Sequence, residues 1–463
     1  MSADWPLKKL SDVAEFLNNK RVPLKSLDRD KRQGEYPYYG ASGVVDYIDD
    51  YVFDGVFLLI SEDGENLRTR NTPVAFKASG KFWVNNHAHI LAEKEEGILD
   101  YLEYYFSKLD ISPYITGAVQ PKLNKANLDS IEIPIPPKEE RLGINKVLNS
   151  FTYKIELNRQ TNQTLEHIAQ ALFKCWFVDF EPTRAKIIAK EKGANTAIQE
   201  LAAQAIICGV ITLEQLEAIT QNLETTLQQA INEKLSQANQ TPIKTEQLKT
   251  TAALFPNELV DSELGEIPEG WEVNPLGNYL EIKRGGSPRP IKEYIVEDGL
   301  PWTKIADATK EPSPFLFRTK EYIKEEGLKK TVLLKKGSLI LSNSATPGLP
   351  KFLELDACIH DGWLHFPKKQ LFSDLYLYQL FLKIRKELVA QGNGSVFTNL
   401  KTDILKSKVV VAPNQMVISK FDETISLAFN KLKENCKETN TLVEIRDALL
   451  PKLLSGELSV SSD

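Results

Sequence analysis

The chain has 463 residues, 42% of them hydrophobic and 26% charged, with a formal net charge of −6. That length exceeds one ordinary core, so two or more domains are expected. No apolar run is long enough to cross a membrane, and the opening MSADWPLKKL carries no apolar signal core; the expected location is cytoplasmic, with no membrane partner. The four cysteines (Cys175, Cys208, Cys358, Cys436) lie far apart without a CxxC pair, which argues against zinc or a disulfide framework and for buried thiols.

Residues 1–136 hold 16 Lys+Arg against 21 Asp+Glu. A β-like run at Val56–Ile60 and a helical one at Ile98–Lys108 predict a mixed α/β module. Its loops carry three polar sets. DKRQGEYPYYGASG supplies Lys31, Arg32, Gln33, Tyr36, Tyr38 and Ser42. ENLRTRN supplies Asn66, Arg68 and Arg70. GAVQPKLNK supplies Gln120, Lys122 and Asn124, and His87 of the HAH run is a further donor. Taken singly, each is a solvated loop residue; taken as sets, they offer phosphate and base-edge partners.

Residues 137–184 read as one long helix. Ile144, Leu148, Phe151, Ile155, Asn158, Asn162, Leu165, Ala169, Leu172 and Trp176 follow alternating steps of four and three, the spacing of a coiled-coil seam. About 40 residues at ~1.5 Å each span roughly 60 Å, enough to hold two globular domains apart. Outward positions Lys146, Lys154, Arg159, Phe173 and Phe177 are candidates for partner docking. Residues 185–265, rich in Ala, Gln, Thr and Glu, predict short helices in a partly mobile connector.

Residues 266–412 hold 22 Lys+Arg against 18 Asp+Glu and again mix strand-like runs (Ser338–Leu341, Lys408–Val411) with a helix over Asp374–Leu388. KRGGSPRP gathers Lys283, Arg284, Ser287 and Arg289. SNSATPG offers Ser342, Asn343, Ser344 and Thr346. His360 sits in HDGWLH, and QGNGSVFTNLK carries Asn393, Ser395, Asn399 and Lys401. Residues 413–463 form a second long helix. Its seam runs through Phe421, Ile425, Ala428, Leu432, Asn435, Thr439, Leu442, Arg446, Leu449 and Leu453, with Ile445 placed to cover the Arg446 break. Lys431, Lys433 and Leu454 are its outward candidates.

The second half repeats the first. GAVQPKLNKANLDSIEIPIPPKEE at Gly117 and GSVFTNLKTDILKSKVVVAPNQMV at Gly394 share Leu123 with Leu400 and Pro136 with Pro413, and the seams continue that 277-residue offset without a gap. Trp5, Leu10 and Glu15 likewise match Trp271, Leu276 and Glu281. The frames agree while the interiors diverge. An antiparallel pairing of the two helices brings the central Asn158, Asn162, Asn435 and Thr439 together as a register-fixing polar layer.

Catalytic signatures are sparse. There is no Walker A loop and no Asp-Pro-Pro-Tyr run. The EIK at Glu281 lacks an upstream Asp for a nuclease metal site. The histidines lack a third ligand, so no metal is assigned.

These residues, above all LDSIEIPIPPKEERLGINKVLNSFTYKIELNRQTNQTLEHIAQALFKCWFVDFEPTRAK, its partner ending IRDALLPKLLSGEL, and the LFPNELVDSELGEIPEGW join, resemble the specificity subunit of type I restriction–modification systems. The resemblance implies two target recognition domains (1–136 and 266–412) separated by two antiparallel coiled-coil helices (137–184 and 413–463). It implies double-stranded DNA as the partner, read as a split target. Two modification subunits, which use S-adenosylmethionine to methylate adenine, and restriction subunits would dock on a chain that performs no chemistry and holds no cofactor itself. The alternatives left open are a DNA-modifying enzyme with degenerate motifs and a protein-interaction scaffold. The acidic first module predicts weak DNA binding by the chain alone.

Overall fold

The computed structural model describes residues 4–117, 119–237, 242–391 and 400–460. It falls into two compact units: residues 1–158 with 438–463, and residues 159–437.

The first unit is built on a sheet of six strands: β1 (Ala14–Phe16), β2 (Gln33–Gly40), β3 (Gly43–Ile48), β4 (Phe53–Ser61), β5 (Ala75–Val84) and β6 (Ala88–Glu93), in the order β1-β6-β4-β5-β2-β3. The apolar run at Val56–Ile60 is the centre of β4, paired on both sides. Leu58, Leu59 and Ile60, which have neighbours on both sides, are fully buried, whereas Val56, paired on one side, is 55% exposed. Helix α1 (Ile98–Lys108) lies over the sheet, with Ile98, Leu99, Tyr101, Leu102 and Phe106 buried. Gly97, at φ 76°, starts it; a Cβ there would stand 2.7 Å from Leu142 and 2.8 Å from Asn145, so glycine lets α1 approach the following long helix closely. A short helix α2 (Lys125–Asp129) precedes that long helix, α3 (Lys138–Phe177).

In the second unit, α3 leads into five helices: α4 (Glu181–Glu191), α5 (Thr196–Ile207), α6 (Leu213–Ala218), α7 (Leu223–Gln237) and α8 (Pro242–Ala252). The sequence suggested a partly mobile connector. The described residues form the expected short helices around a core of Ala185, Ala189, Leu201, Ala202, Ala205, Leu216, Leu227 and Ile231. Small residues on α4 and α5 allow that close packing, which a low aromatic content disguises. Lys186, 2% exposed, is fixed by Glu200 and the Phe255 carbonyl, each at 2.6 Å.

Two five-stranded sheets follow. The strands are β7 (Leu280–Arg284), β8 (Ile295–Val296), β9 (Leu300–Thr303), β10 (Phe315–Leu316), β11 (Glu321–Ile323), β12 (Val332–Leu334), β13 (Leu339–Ser342), β14 (Pro350–Leu353), β15 (Ala357–Ile359) and β16 (Trp363–Lys369). One sheet has the order β7-β16-β13-β14-β10 and the other β8-β11-β9-β15-β12. Helices α9 (Asp374–Gln391), α10 (Thr402–Ser407) and α11 (Gln415–Leu454) complete the order.

The repeated frame is visible in the backbone. Leu7 pairs with Pro134 and Lys8 with Ile133 in the first unit. Val273 pairs with Val411 and Asn274 with Val410 in the second, the same register. Leu10, Leu123, Leu276 and Leu400 are all buried. Helices α3 and α11 are each 40 residues long, and both ends are displaced by the same 277 residues, 138 to 415 and 177 to 454.

The two long helices run antiparallel, as each unit separately establishes. In the first, Ile144 and Leu148 of α3 share a core with Leu450, Leu453 and Leu454 of α11. In the second, Ala169, Phe173 and Trp176 of α3 share one with Phe421, Ile425 and Leu432. Leu148, Ile155, Asn158, Ile425, Leu432 and Asn435 are buried. Phe151, Asn162, Leu165, Leu172, Ala428, Thr439, Leu442 and Leu449 are half-buried. Asn158 donates to Glu438 Oε2 at 2.9 Å and to Thr439 Oγ1 at 3.4 Å. Asn435 donates to Asn162 Oδ1 at 2.9 Å, and Asn162 to Cys436 Sγ at 3.3 Å. Under the 277-residue displacement Asn158 corresponds to Asn435 and Thr439 to Asn162, so these two rungs are one pair written twice with the helices exchanged.

Three expectations for the helices are corrected. Ile445 is 43% exposed and does not cover Arg446, which turns to Asp447 at 2.9 Å. Phe173, Phe177 and Leu454 are buried, not outward. Near its end α3 is packed on more than its seam side: Phe173 and Phe177 lie 5.2 and 5.0 Å from Tyr376 as well as 5.9 and 5.1 Å from Phe421. Lys154 and Lys433 are engaged by Glu438 and Glu354 at 3.2 and 3.3 Å.

One half-buried carboxyl on α3 predicts a pH dependence. Burial pushes the Glu166 carboxyl up to about 7 from 4.5, against the attraction of Lys351. Lys351 itself is 2% exposed and bonded to the Glu311 and Ser313 carbonyls; burial pushes it down to about 8. Between pH 4.5 and about 7 the folded chain keeps a proton that the unfolded chain has released, so this group removes stability as pH rises. Glu166→Gln is expected to match the parent near pH 4 and to gain on it up to neutral pH, by roughly 2–3 kcal/mol. Denaturant unfolding across that range checks this; a pH-independent difference would contradict it.

Candidate nucleic-acid interface

The loop sets predicted from the sequence separate once folded. In the first unit, several polar groups are spent on one another. Arg29 pairs with Asp46 at 2.8 Å. Arg32 reaches Asp49 at 2.8 Å and lies 5.2 Å from the Trp83 ring. Gln33 donates to Asp46 Oδ1 at 3.2 Å. Tyr38 is 1% exposed, and its hydroxyl accepts from the Leu24 amide at 3.0 Å, so it is a core residue and not a base reader. Tyr36, on the same strand, lies 5.2 Å from Tyr51, which carries Lys81 over its ring at 4.6 Å. Lys31 and Ser42 are exposed.

The second set is largely structural. Arg70 donates to the Phe106 carbonyl at 3.3 Å and to that of Leu109, closing the end of α1. Asn66 exchanges hydrogen bonds with the Thr72 backbone at 3.0 and 2.9 Å. Asn124 caps α2 by accepting from Asn127 at 2.9 Å. Arg68 holds the Gly117 carbonyl at 3.0 Å with its side chain still 42% exposed. Gln120 is exposed.

Glu62, missed in the sequence, gathers Arg21 at 2.7 Å, His89 at 3.7 Å and Lys122 at 3.5 Å. Burial opposes its ionisation, but the Arg21 hydrogen bond and the surrounding positive charge hold its carboxyl below the usual range. His87 meets Asp63 at 2.9 Å. His89 is fully buried; it donates to the Leu123 carbonyl at 2.7 Å and accepts from Asn18 at 2.8 Å, and burial depresses its pKa. Both of its ring nitrogens are occupied, so it is a satisfied core histidine.

In the second unit, KRGGSPRP and HDGWLH converge. Successive residues of β7 point to opposite faces. Lys283 pairs with Glu281 at 2.9 Å and lines a cleft of about 570 Å³ with Asn278, Gln370, Lys368 and Lys406. Arg284 turns to the loop after β15, donating Nε to the Asp361 carbonyl, with Nη2 4.0 Å from the carboxylate. Arg289 Nη2 stands 3.7 Å from the same carboxylate, and Ser287 Oγ donates to it at 2.6 Å. The Ser287 hydrogen bond, with the nearby positive charge, lowers the Asp361 pKa.

His360 accepts from the Gly362 amide at 2.5 Å, and burial lowers its pKa. With Nδ1 accepting, the neutral ring carries its proton on Nε2, 3.4 Å from the Ile305 amide nitrogen, and it braces the loop through Nδ1. Ser342 is fully buried within β13; it accepts from the Leu349 amide at 2.8 Å and donates to the Thr346 carbonyl. Asn343, 4% exposed, donates to the Asp361 carbonyl at 3.3 Å. Both side chains are buried and engaged within the fold. Ser344 and Thr346 are half-buried, and Lys401 is exposed at the start of α10. Asn393, Ser395 and Asn399 lie outside the described residues.

The folded units thus keep Lys31, Ser42, Arg68, Gln120, Lys122, Lys283, Arg284, Arg289 and Lys401 at the surface. They also add Lys368 and Lys406, which β16 and α10 bring beside Lys283. Asp361 was overlooked because the HDGWLH run drew attention to its histidines.

Comparison with known proteins agrees with this architecture. The model of the type I restriction modification DNA specificity domain matches twice, over residues 2–167 and 268–439. The HindI type I restriction enzyme specificity subunit of Haemophilus influenzae is 31% identical over 73% of this chain and 71% of its own. The MjaIX specificity subunit of Methanocaldococcus jannaschii is 25% identical over 99% of this chain and 94% of its own. The crystal structure of a type I restriction–modification S subunit from M. genitalium shares the fold. Its TM-score is 0.57 at 14% identity, covering 97% of this chain and 96% of that one. With two copies of the domain joined by paired helices, this chain belongs to the family of type I restriction–modification DNA specificity subunits.

Proposed function

We propose that the chain reads an interrupted, two-part sequence in double-stranded DNA, one part per recognition module (1–136 and 266–412), and performs no catalysis itself. It docks two modification subunits, which bring S-adenosylmethionine and methylate adenine, together with restriction subunits; the chain holds no cofactor or metal. The observation that carries this reading is the pair of exchanged rungs, Asn158 with Thr439 and Asn162 with Asn435, on helices of equal length. Many DNA readers are two-fold dimers whose half-sites lie a helical turn apart. A duplicated chain with a symmetric brace reproduces that relation in one polypeptide, and its two readers are free to diverge. Exposed Lys146, Arg159 and Lys431 are the helix positions left for subunit docking.

Mapping methylated adenines in cells with and without this chain tests the reading. The expected result is two short words at a fixed gap, both lost with the chain. One continuous word, or methylation that persists without the chain, would overturn it.

A further inference from the structure

The second unit contains a cluster whose charges are arranged around an internal anion. Arg284 and Arg289 leave their side chains 54% and 74% exposed. Among the described residues, Asp361 alone places a carboxylate within 4.0 Å of either guanidinium. The distances, 4.0 and 3.7 Å, are too long for the forked hydrogen bonding that makes arginine–carboxylate pairs strong. The scaffold below is tight. The Gly285 amide donates to the Trp363 carbonyl at 2.9 Å and that of Gly286 to the Ile359 carbonyl at 3.2 Å. A Cβ on Gly285 would stand 2.4 Å from the His360 carbonyl oxygen. The backbone is therefore held firmly, and Arg284 Nε donates to the Asp361 carbonyl, while the two guanidinium–carboxylate pairs are long and exposed, and exposed pairs of this kind contribute little.

We propose that Asp361 is a displaceable stand-in for a DNA backbone phosphate, occupying Arg284, Arg289 and Ser287 until the duplex arrives. A phosphate offers what this set favours: oxygens that accept from a guanidinium fork and from a hydroxyl at the same time. The carboxylate stays nearby when the phosphate enters, and like charges in proximity weaken binding. Asp361 thus lowers affinity for any duplex, and contacts to the correct bases must offset that loss. The residue sets a penalty that every duplex must overcome and is a positioning residue for the two arginines. This rests on the DNA-reading assignment above.

The test uses the chain assembled with its modification subunits and a mixed-sequence duplex, followed by fluorescence anisotropy over a range of NaCl. Asp361→Asn is expected to tighten binding about fivefold or more at low salt and to steepen the slope of log K against log salt by about one. The gain should vanish when Arg284→Gln and Arg289→Gln are added. Asp361→Ser also removes the carboxylate while leaving Arg284, Arg289 and Ser287 in place; it should give a similar gain, and it carries the test if Asp361→Asn fails to fold by circular dichroism. Unchanged or weakened binding in both variants would overturn the proposal, because a carboxylate that reads a cytosine amine or merely braces the loop predicts that result. If the parent complex itself retains no duplex at any salt, the DNA-reading assignment falls first and this inference with it.

Discussion

Phe421→Ala is expected to cost the second unit about 3–5 kcal/mol, the range for removing a large buried ring. Phe421 is fully buried, and its ring centre lies 5.9, 5.8 and 5.1 Å from those of Phe173, Trp176 and Phe177. Aromatic pairs at these separations add stability beyond their buried area, and the rings are held on helix segments that cannot easily collapse into the space. Hydrogen exchange should report the loss in α3 and α11 within residues 159–437 and leave α1 protected. A cost below about 1 kcal/mol would mean that the α3 aromatics pack without α11.

Arg141→Ala is the counterpart in the first unit. Arg141 is 1% exposed in the first turn of α3. It donates to the Glu96 carbonyl at 3.2 and 3.0 Å and to that of Pro136 at 3.5 Å, and it meets the Glu95 carboxylate at 3.2 Å. Truncation leaves the Glu96 and Pro136 carbonyls without this donor while the Glu95 carboxylate, 41% exposed, returns to solvent, and leaving such groups unsatisfied costs about 1–3 kcal/mol. Arg141→Lys should recover only part, because an ammonium cannot reproduce the planar fork. Denaturant unfolding followed by exchange in α1 would show it. A full rescue by lysine would mean that charge, and not geometry, holds the site. The same place in the repeat is Ile418, also fully buried. One frame position is therefore satisfied by hydrogen bonding in one unit and by apolar packing in the other.

The long helices were legible because their information is local and periodic. Steps of three and four name the inward residues whatever lies opposite, and a second copy at the same displacement identifies the partner. Asn158 and Asn162 were placed at the seam on that ground alone. The recognition loops were not legible to the same degree. Whether a tyrosine or serine reaches solvent depends on sheet register. Tyr38 sits beside an irregularity in the pairing of β2 with β3, and Ser342 lies on a strand paired with both β14 and β16. Composition also misled where a residue's neighbours come from distant sequence. Asp361 joins arginines more than 70 positions earlier, and the small side chains of α4 and α5 build a core that a count of aromatics does not reveal.

The brace between α3 and α11 has a consequence for how the molecule is made. Asn158 and Glu438 are 280 residues apart in the chain. At ~5–20 residues per second, a ribosome needs roughly a quarter of a minute to a minute to cross that interval. Throughout that time the apolar stripe of α3 has emerged and its cover has not. Contacts of such long range also close late, so the newborn protein passes through a stage in which this stripe must be shielded by something else or risk clumping. Yield in cells should therefore respond to slower synthesis or added chaperone more strongly than the finished fold's stability would suggest.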